Sequence, residues 1–363
     1  MTAEAMPRRM ARTAGDRQGL ARRVLWGLSL LLAVSALLSL SVGPTGITLA
    51  SLPRVLAAML SGSSDAATAR EGLVLFEFRL PRTLIAMFVG ASLGVAGAMM
   101  QGLFRNPLAD PGIIGVSAGA ALAAVATIAL GNAALAWALK PFGFFALPVA
   151  AFLGGFVTTG ALVLIAGRGG QIMTGTLLLA GIAIAALANA LVGLIAFASN
   201  DQELRDLTLW TLGSLGGASW PKVLAVAPFA VLVAAIVPFL VRSLNGLLLG
   251  EAEAFYLGIN VERTKRVIVV ATAACVGAAV AVSGIIAFAG IVVPHVVRIL
   301  AGPDHRVVLP GSALLGASLM LVADVVARMI VRPAELPVGI IVAIVGAPVF
   351  LHLVLKRGSG GMG

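Results

Sequence analysis

The sequence predicts an all-α integral membrane protein with about ten transmembrane helices, and three observations carry that prediction. Of 363 residues, 60% are hydrophobic and 11% are charged, with a mean hydropathy of +1.06, a balance that no water-soluble domain carries. The apolar residues stand in long continuous runs, not in the short alternating segments of a transmembrane barrel. The 43 glycines suit helices that approach backbone to backbone, which is how helices associate in lipid. Disorder is excluded, because it requires low hydrophobicity and dense charge. The single cysteine, Cys275, leaves no disulfide and no cysteine-based metal site within one chain.

A helix needs roughly 20 apolar residues to cross the hydrocarbon core. Ten runs approach that length, near 24–43, 82–103, 112–131, 145–166, 172–198, 221–241, 267–283, 285–300, 307–330 and 337–355. The first follows Arg8, Arg9, Arg12, Arg17, Arg22 and Arg23, which predicts a cytoplasmic N-terminus by the positive-inside rule. An even number of spans returns the C-terminus to the same side. The first apolar run exceeds a signal-peptide core, and Val42-Gly43-Pro44 is a poor cleavage site, so an uncleaved anchor is expected. Residues 1–23 then form a basic cytoplasmic segment, 24–356 a single ten-span domain and 357–363 a cytoplasmic tail.

The loops differ in character. Residues 44–81 and 199–220 lie outside, and the second alternates charge with Leu and Trp at helical spacing, which predicts a short amphipathic helix. Residues 242–266 form the largest inside loop, with an acidic start, an apolar Phe255-Tyr256-Leu257 patch and a basic end. That pattern suits a surface helix presenting a face to a partner. Arg82-Thr83 opens the second span and Arg263-Thr264 precedes the seventh. Five spans of offset make these the marks of a candidate inverted repeat, spans 2–5 against 7–10.

A P-loop requires Gly-Lys-Ser/Thr, but none of the four lysines (Lys140, Lys222, Lys265 and Lys356) follows a glycine. Any ATP-driven motor must therefore be another subunit. Gly115-Val116-Ser117-Ala118-Gly119 fits the nucleophile-elbow pattern, yet it lies in an apolar run with no strand before it and no placed base, so helix packing is the better reading. Gly90-Ala91-Ser92-Leu93-Gly94 carries the same packing reading. Asp324 and Arg328 are four apart on one helix face and can neutralise each other. One intramembrane acid is meagre for a proton-coupled carrier. His295, His305 and His352 have no second ligand at i+3 or i+4, so no metal site is expected, and His295, which follows Pro294, is expected to be structural. Two prolines in Gln101–Gly112 force a tight inside turn.

The string RLPRTLIAMFVGASLGVAGAMMQGLFRNPLADPGIIGVSAGA (79–120), with SGIIAFAGIVVPHVVRILAGPDHR (283–306) and ELPVGIIVAIVGAPVF (335–350), resembles the permease subunits of ATP-driven importers for iron-siderophores, haem and cobalamin. The resemblance runs from about residue 24 to 356. It implies a homodimer in the bacterial inner membrane, two cytoplasmic ATPase subunits that use ATP and Mg, and a periplasmic substrate-binding protein. Lipid surrounds it, and neither nucleic acid, nor bond chemistry, nor a cofactor held by this chain is implied. By the same resemblance, Glu251, Glu253, Phe255, Tyr256, Leu257 and Gly258 belong to the region that couples to the ATPase. Arg79, Arg82 and Arg328 match arginines that receive acidic knobs of the binding protein. The segment holding Arg205, Trp210 and Ser214 resembles the outer gate of the haem-importing branch, where an arginine suits a propionate. A siderophore or cobalamin is the alternative cargo.

Overall fold

The computed structural model describes residues 14–43, 50–61, 65–131, 135–168, 171–331 and 334–358. Arg8, Arg9, Arg12 and Pro44 lie outside the described residues, as does most of the expected tail. The helices in chain order begin with α1 (Ala14–Ser41), α2 (Leu52–Ser61), α3 (Ala66–Leu73), α4 (Leu80–Leu103) and α5 (Val116–Leu130). There follow α6 (Ala136–Leu139), α7 (Ala146–Ala166), α8 (Thr174–Ala198), α9 (Asp201–Thr211) and α10 (Trp220–Leu247). The chain closes with α11 (Glu251–Tyr256), α12 (Val261–Ser283), α13 (Ala289–Ala301), α14 (His305–Ile330) and α15 (Val338–Gly358). A two-residue antiparallel ladder, β1 (Gly167–Arg168) with β2 (Gln171–Ile172), joins α7 to α8.

Among the described residues seven helical segments are long and apolar enough to cross a membrane, and Val116–Leu130, Ala289–Ala301 and Val338–His352 are apolar but shorter. Each of the ten overlaps one expected run. Two runs start late for a backbone reason. A 3₁₀ turn, Pro111–Ile114, and left-handed Gly115 precede α5. Left-handed Gly284 caps α12, and left-handed Phe288 then opens α13. With 13 residues, α13 is only ~20 Å long, short of the ~30 Å core. The outer segment after residue 50 is more ordered than a loop. A π-helical turn, Val74–Arg79, joins α3 to α4, so helix runs from Ala66 to Leu103.

The most buried spans are the one containing α4 (78%) and α12 (83%), whereas α8 is only 11% buried. The first two therefore form the centre, and α8 the rim. Small residues explain the central position of α4: a Cβ at Gly90, Gly94 or Gly97 would strike the backbone carbonyls of Gly316, Ser312 and Gly290 respectively, so α13 and α14 seat directly on its backbone. Gly119 meets Thr158 and the Gly154 carbonyl in the same way. The G-x-S-x-G string is thus a packing surface on a helix. Leu164, Leu179, Phe197 and Phe239 stay exposed on the periphery, as expected of side chains that face hydrocarbon. α4 and α12, the first members of the two candidate repeats, are both central, and each is followed by a short helix opened by a left-handed residue.

Polar contacts between spans lie at the two ends. At the end expected to face outward, Ser39 and Thr83 hydroxyls are 2.8 Å apart, tying α1 to α4. At the inner end the Gln101 amide donates to the Ile291 carbonyl at 3.1 Å and its oxygen accepts from Arg298. Asn245 Oδ1 accepts from the His305 backbone N–H and stands 2.9 Å from its Nδ1, holding α10 to α14. His305 is fully buried and structural.

Candidate functional site

Three places hold the residues that the resemblance marks as candidates for function. The first lies at the outer end, where α4 starts and α14 ends. Arg82 donates through Nε and Nη2 to Asp324 (3.0 and 2.9 Å) and through Nη1 to both Glu335 oxygens (3.0 and 2.9 Å). Arg328 Nε reaches Asp324 Oδ2 at 3.1 Å one helical turn away. Asp324 is wholly buried and Arg328 nearly so, while the Glu335 side chain is 40% exposed. The four groups therefore form a chain of alternating sign, Glu335–Arg82–Asp324–Arg328, that ends at the surface. Arg79 is also buried and donates to the Leu40 carbonyl. The resemblance implies all three arginines as outward contacts for the binding protein. Burial turns the guanidinium groups of Arg79 and Arg328 inward, and Arg82 alone borders the surface, through Glu335.

The second place is the segment expected to form the outer gate. Asn200 caps α9: its side chain accepts from the Gln202 and Glu203 N–H groups, and Glu203 answers with a bond from the Asn200 N–H at 3.1 Å, a complete capping box. With Glu203 so occupied, the exposed Arg205 forms no ion pair with any described residue. After α9 the chain turns through left-handed Gly213. The Ser214 N–H donates to the Ser283 carbonyl at 2.8 Å, and the Gly339 N–H to the Gly213 carbonyl at 3.2 Å. Gly213 is required there, because a Cβ would strike the Ile285 carbonyl. This segment is thus bolted to the break between α12 and α13 and to the start of α15. Trp210 and Ser214 line an outer cleft of about 300 Å³ that also contains Phe144 and Lys222.

The third place is the inner loop. α10 runs on to Leu247 and α12 starts at Val261, so the expected loop of 242–266 tightens to 248–260. Within it α11 buries Ala254, and the turn after it buries Ile259, while Phe255 (70%), Tyr256 (86%) and Leu257 (53%) project outward. The loop's anchor is Lys265, 3% exposed, whose Nζ meets Glu251 at 2.7 Å, Glu262 at 3.4 Å and the Ile172 carbonyl at 2.9 Å. Glu251 therefore fastens the loop to the body, and its carboxylate also accepts from the Thr174 hydroxyl. Glu253 is exposed and folds its carboxylate over the backbone of Gly250. Gly258 supplies a left-handed turn. A cleft of about 930 Å³ beside α11 is lined by Glu251, Phe255, Gly258, Glu262 and Lys265. In the neighbouring inner turn the Asp110 carboxylate accepts from the Gly112 N–H at 2.7 Å. Burial pushes its pKa up, and that bond opposes the shift.

Lys222 and Lys265 were legible only as lysines that complete no P-loop. Of the partners of Lys265 only Glu262 is local, while Glu251 and Ile172 come from other elements, and nothing local marks the surroundings of Lys222. Among the described residues no group of three or more His, Cys, Asp and Glu is arranged to hold a metal.

Residues 31–356 match the FecCD transport family. Over 283 residues the chain is 47% identical to the hemin transport system permease protein HmuU of Yersinia pestis, covering 77% of this chain and 83% of that one. It is 40% identical over 349 residues to the vitamin B12 import system permease protein BtuC of Salmonella paratyphi A, covering 94% and 98%. A solved chain described as a metal-chelate type ABC transporter in an inward-facing conformation superposes with a TM-score of 0.79 at 33% identity, covering 92% of this chain and 99% of that chain. PsaBC from Streptococcus pneumoniae shares the fold at 16% identity and a TM-score of 0.51. The chain belongs to the FecCD transport family, as the translocation component of an ABC importer whose ATPase activity lies in a separate subunit.

Proposed function

We propose that the chain moves haem from periplasm to cytoplasm by alternating access, as a homodimer in the bacterial inner membrane with both termini cytoplasmic. Two ATPase subunits press on the inner loops, and a periplasmic binding protein delivers the cargo. The observation that carries the cargo assignment is the 47% identity to a hemin permease, against 40% to vitamin B12 permeases. The exposed Arg205 on the gate helix supports it, as a charge free to meet a propionate. On the inner side Phe255, Tyr256 and Leu257 are the docking knob, because large apolar side chains left in water at the centre of an acidic and polar rim fit an interface core. On the outer side Arg82 is the docking cation. An incoming carboxylate reaches it by replacing the partly exposed Glu335, whereas Arg79 and Arg328 support it from below.

The longer match to vitamin B12 permeases keeps cobalamin as the second reading, with a siderophore as the third. A proton-coupled carrier is disfavoured because Asp324, the one fully buried acid among the described residues, is already shared by two arginines. The assay is ATPase stimulation in the assembled complex by binding proteins loaded with haem, cobalamin or a ferric siderophore. Haem is expected to stimulate, and stimulation by cobalamin alone would transfer the assignment.

A further inference from the structure

We propose that the outer cleft around Lys222 is a carboxylate-binding subsite, which holds the acidic edge of an apolar, planar ligand against the gate. The other half-buried or buried cations among the described residues have polar or charged partners: Lys265 has two carboxylates, Arg82 two, Arg328 one, Arg298 an amide oxygen and Arg79 a backbone carbonyl. Lys222, on the first turn of α10, differs. It is partly buried yet makes no ion pair or hydrogen bond with any described residue, and its neighbour is the Phe144 ring, 6.0 Å from Nζ to the centroid. A cation removed from water without an anion is costly, so the site is complete only when an anion comes from elsewhere.

The cleft specifies the rest of that ligand. One wall is apolar, formed by Phe144, Leu147, Pro148, Leu209 and Trp210. At the other edge Ser214 Oγ accepts from the Gly216 N–H at 3.0 Å, which leaves its hydroxyl proton free to donate to a second oxygen. The turn at Gly217 brings this hydroxyl's segment beside the lysine, since a Cβ at Gly217 would lie 3.8 Å from Nζ. A cation and a hydroxyl donor beside aromatic rings suit a carboxylate attached to a flat apolar body. About 300 Å³ is at the small end for ligand pockets, so the cleft takes one edge of such a body. Val282, Ser283 and Gly284 also line it, and the gate turn is hydrogen-bonded to the Ser283 carbonyl. Occupancy therefore bears directly on the gate.

This subsite deepens the haem reading and rests on it for the identity of the natural cargo alone. The probe is protoporphyrin IX, compared with its dimethyl ester, titrated by fluorescence into the full importer complex in nanodiscs. One charge-assisted hydrogen bond is worth about 1.5–3 kcal/mol, so Lys222→Met is expected to weaken binding of the acid by roughly tenfold or more. Lys222→Arg should restore most of it, and the ester should bind wild type and Lys222→Met equally, which also reports that the cleft is intact. Equal acid binding by wild type and Lys222→Met, or equal loss of acid and ester, overturns the subsite, as does a wild-type complex that binds neither. ATP-driven haem uptake is read separately. Acid-selective binding at Lys222 without haem uptake removes the cargo assignment and leaves the subsite standing.

Discussion

The two ends of the bundle use charge in opposite ways. At the inner end one buried lysine gathers Glu251, Glu262 and a carbonyl, so charge fastens the loop while Phe255, Tyr256 and Leu257 are left for a partner. At the outer end a line of alternating charges surfaces at Glu335, beside exposed apolar side chains such as Phe78 and Trp137. The difference implies two kinds of docking. The inner surface offers area to be buried, which binds tightly and is insensitive to salt. The outer surface offers an exchangeable ion pair, which sets register and on-rate and is screened by salt. A partner that must stay attached through the transport cycle fits the first, and one that delivers cargo and leaves fits the second.

The largest expected effect comes from breaking the outer charge line at its centre. Asp324→Ala strands Arg328 and leaves Arg82 with Glu335 alone, and losing one partner of a buried pair costs roughly 3–5 kcal/mol. The purified variant should show a clear drop in unfolding temperature, and adding Arg328→Met should recover part of it. Lys265→Met comes next. It releases two carboxylates that are themselves partly exposed, so about 2 kcal/mol is the upper expectation. The readout is proteolysis within 248–260, which should accelerate. The pair Phe255→Asp and Leu257→Asp should leave thermal stability unchanged, because both side chains already lie in water, and should abolish co-purification with the ATPase. Normal co-purification of that double variant would remove the inner docking assignment.

Smaller effects sharpen the outer side. Glu335→Gln should strengthen capture of the binding protein modestly, by removing the internal competitor for Arg82, while Arg82→Glu should weaken it; identical affinities in both variants would show that the pair is not exchanged. Arg205→Ala should slow haem uptake with complex yield intact, and Arg205→Lys should recover only part, since lysine keeps the charge but loses the planar fork. Asp206→Ala is the control, and equal losses of yield for the two alanine variants would contradict a cargo contact.

The sequence makes the helices legible because lipid imposes one rule, a long apolar run, and every such run is a helix. Its ends are less legible, because they depend on single backbone states. Residues 285–288 are as apolar as α13 itself, yet left-handed Gly284 and Phe288 hold them out of the helix. The i,i+4 pair of Asp324 and Arg328 was readable from spacing. Its third member, Arg82, stands 242 residues away, and only the packing of α4 on α14 reveals it. The same holds for Lys265, whose carbonyl partner Ile172 lies on β2. The exposed knob at Phe255 was readable because apolar residues in a charged loop have few other uses, whereas the roles of Glu251 and Glu253 beside it required the fold.

The contrast between the ends is tested most directly by measuring two dissociation constants across an ionic-strength series, one for the ATPase and one for the binding protein, on the same purified permease. The binding-protein affinity is expected to fall steeply with salt and the ATPase affinity to stay level. A steep salt dependence for the ATPase together with a flat one for the binding protein would contradict the assignment of apolar docking to the inner end and ionic docking to the outer.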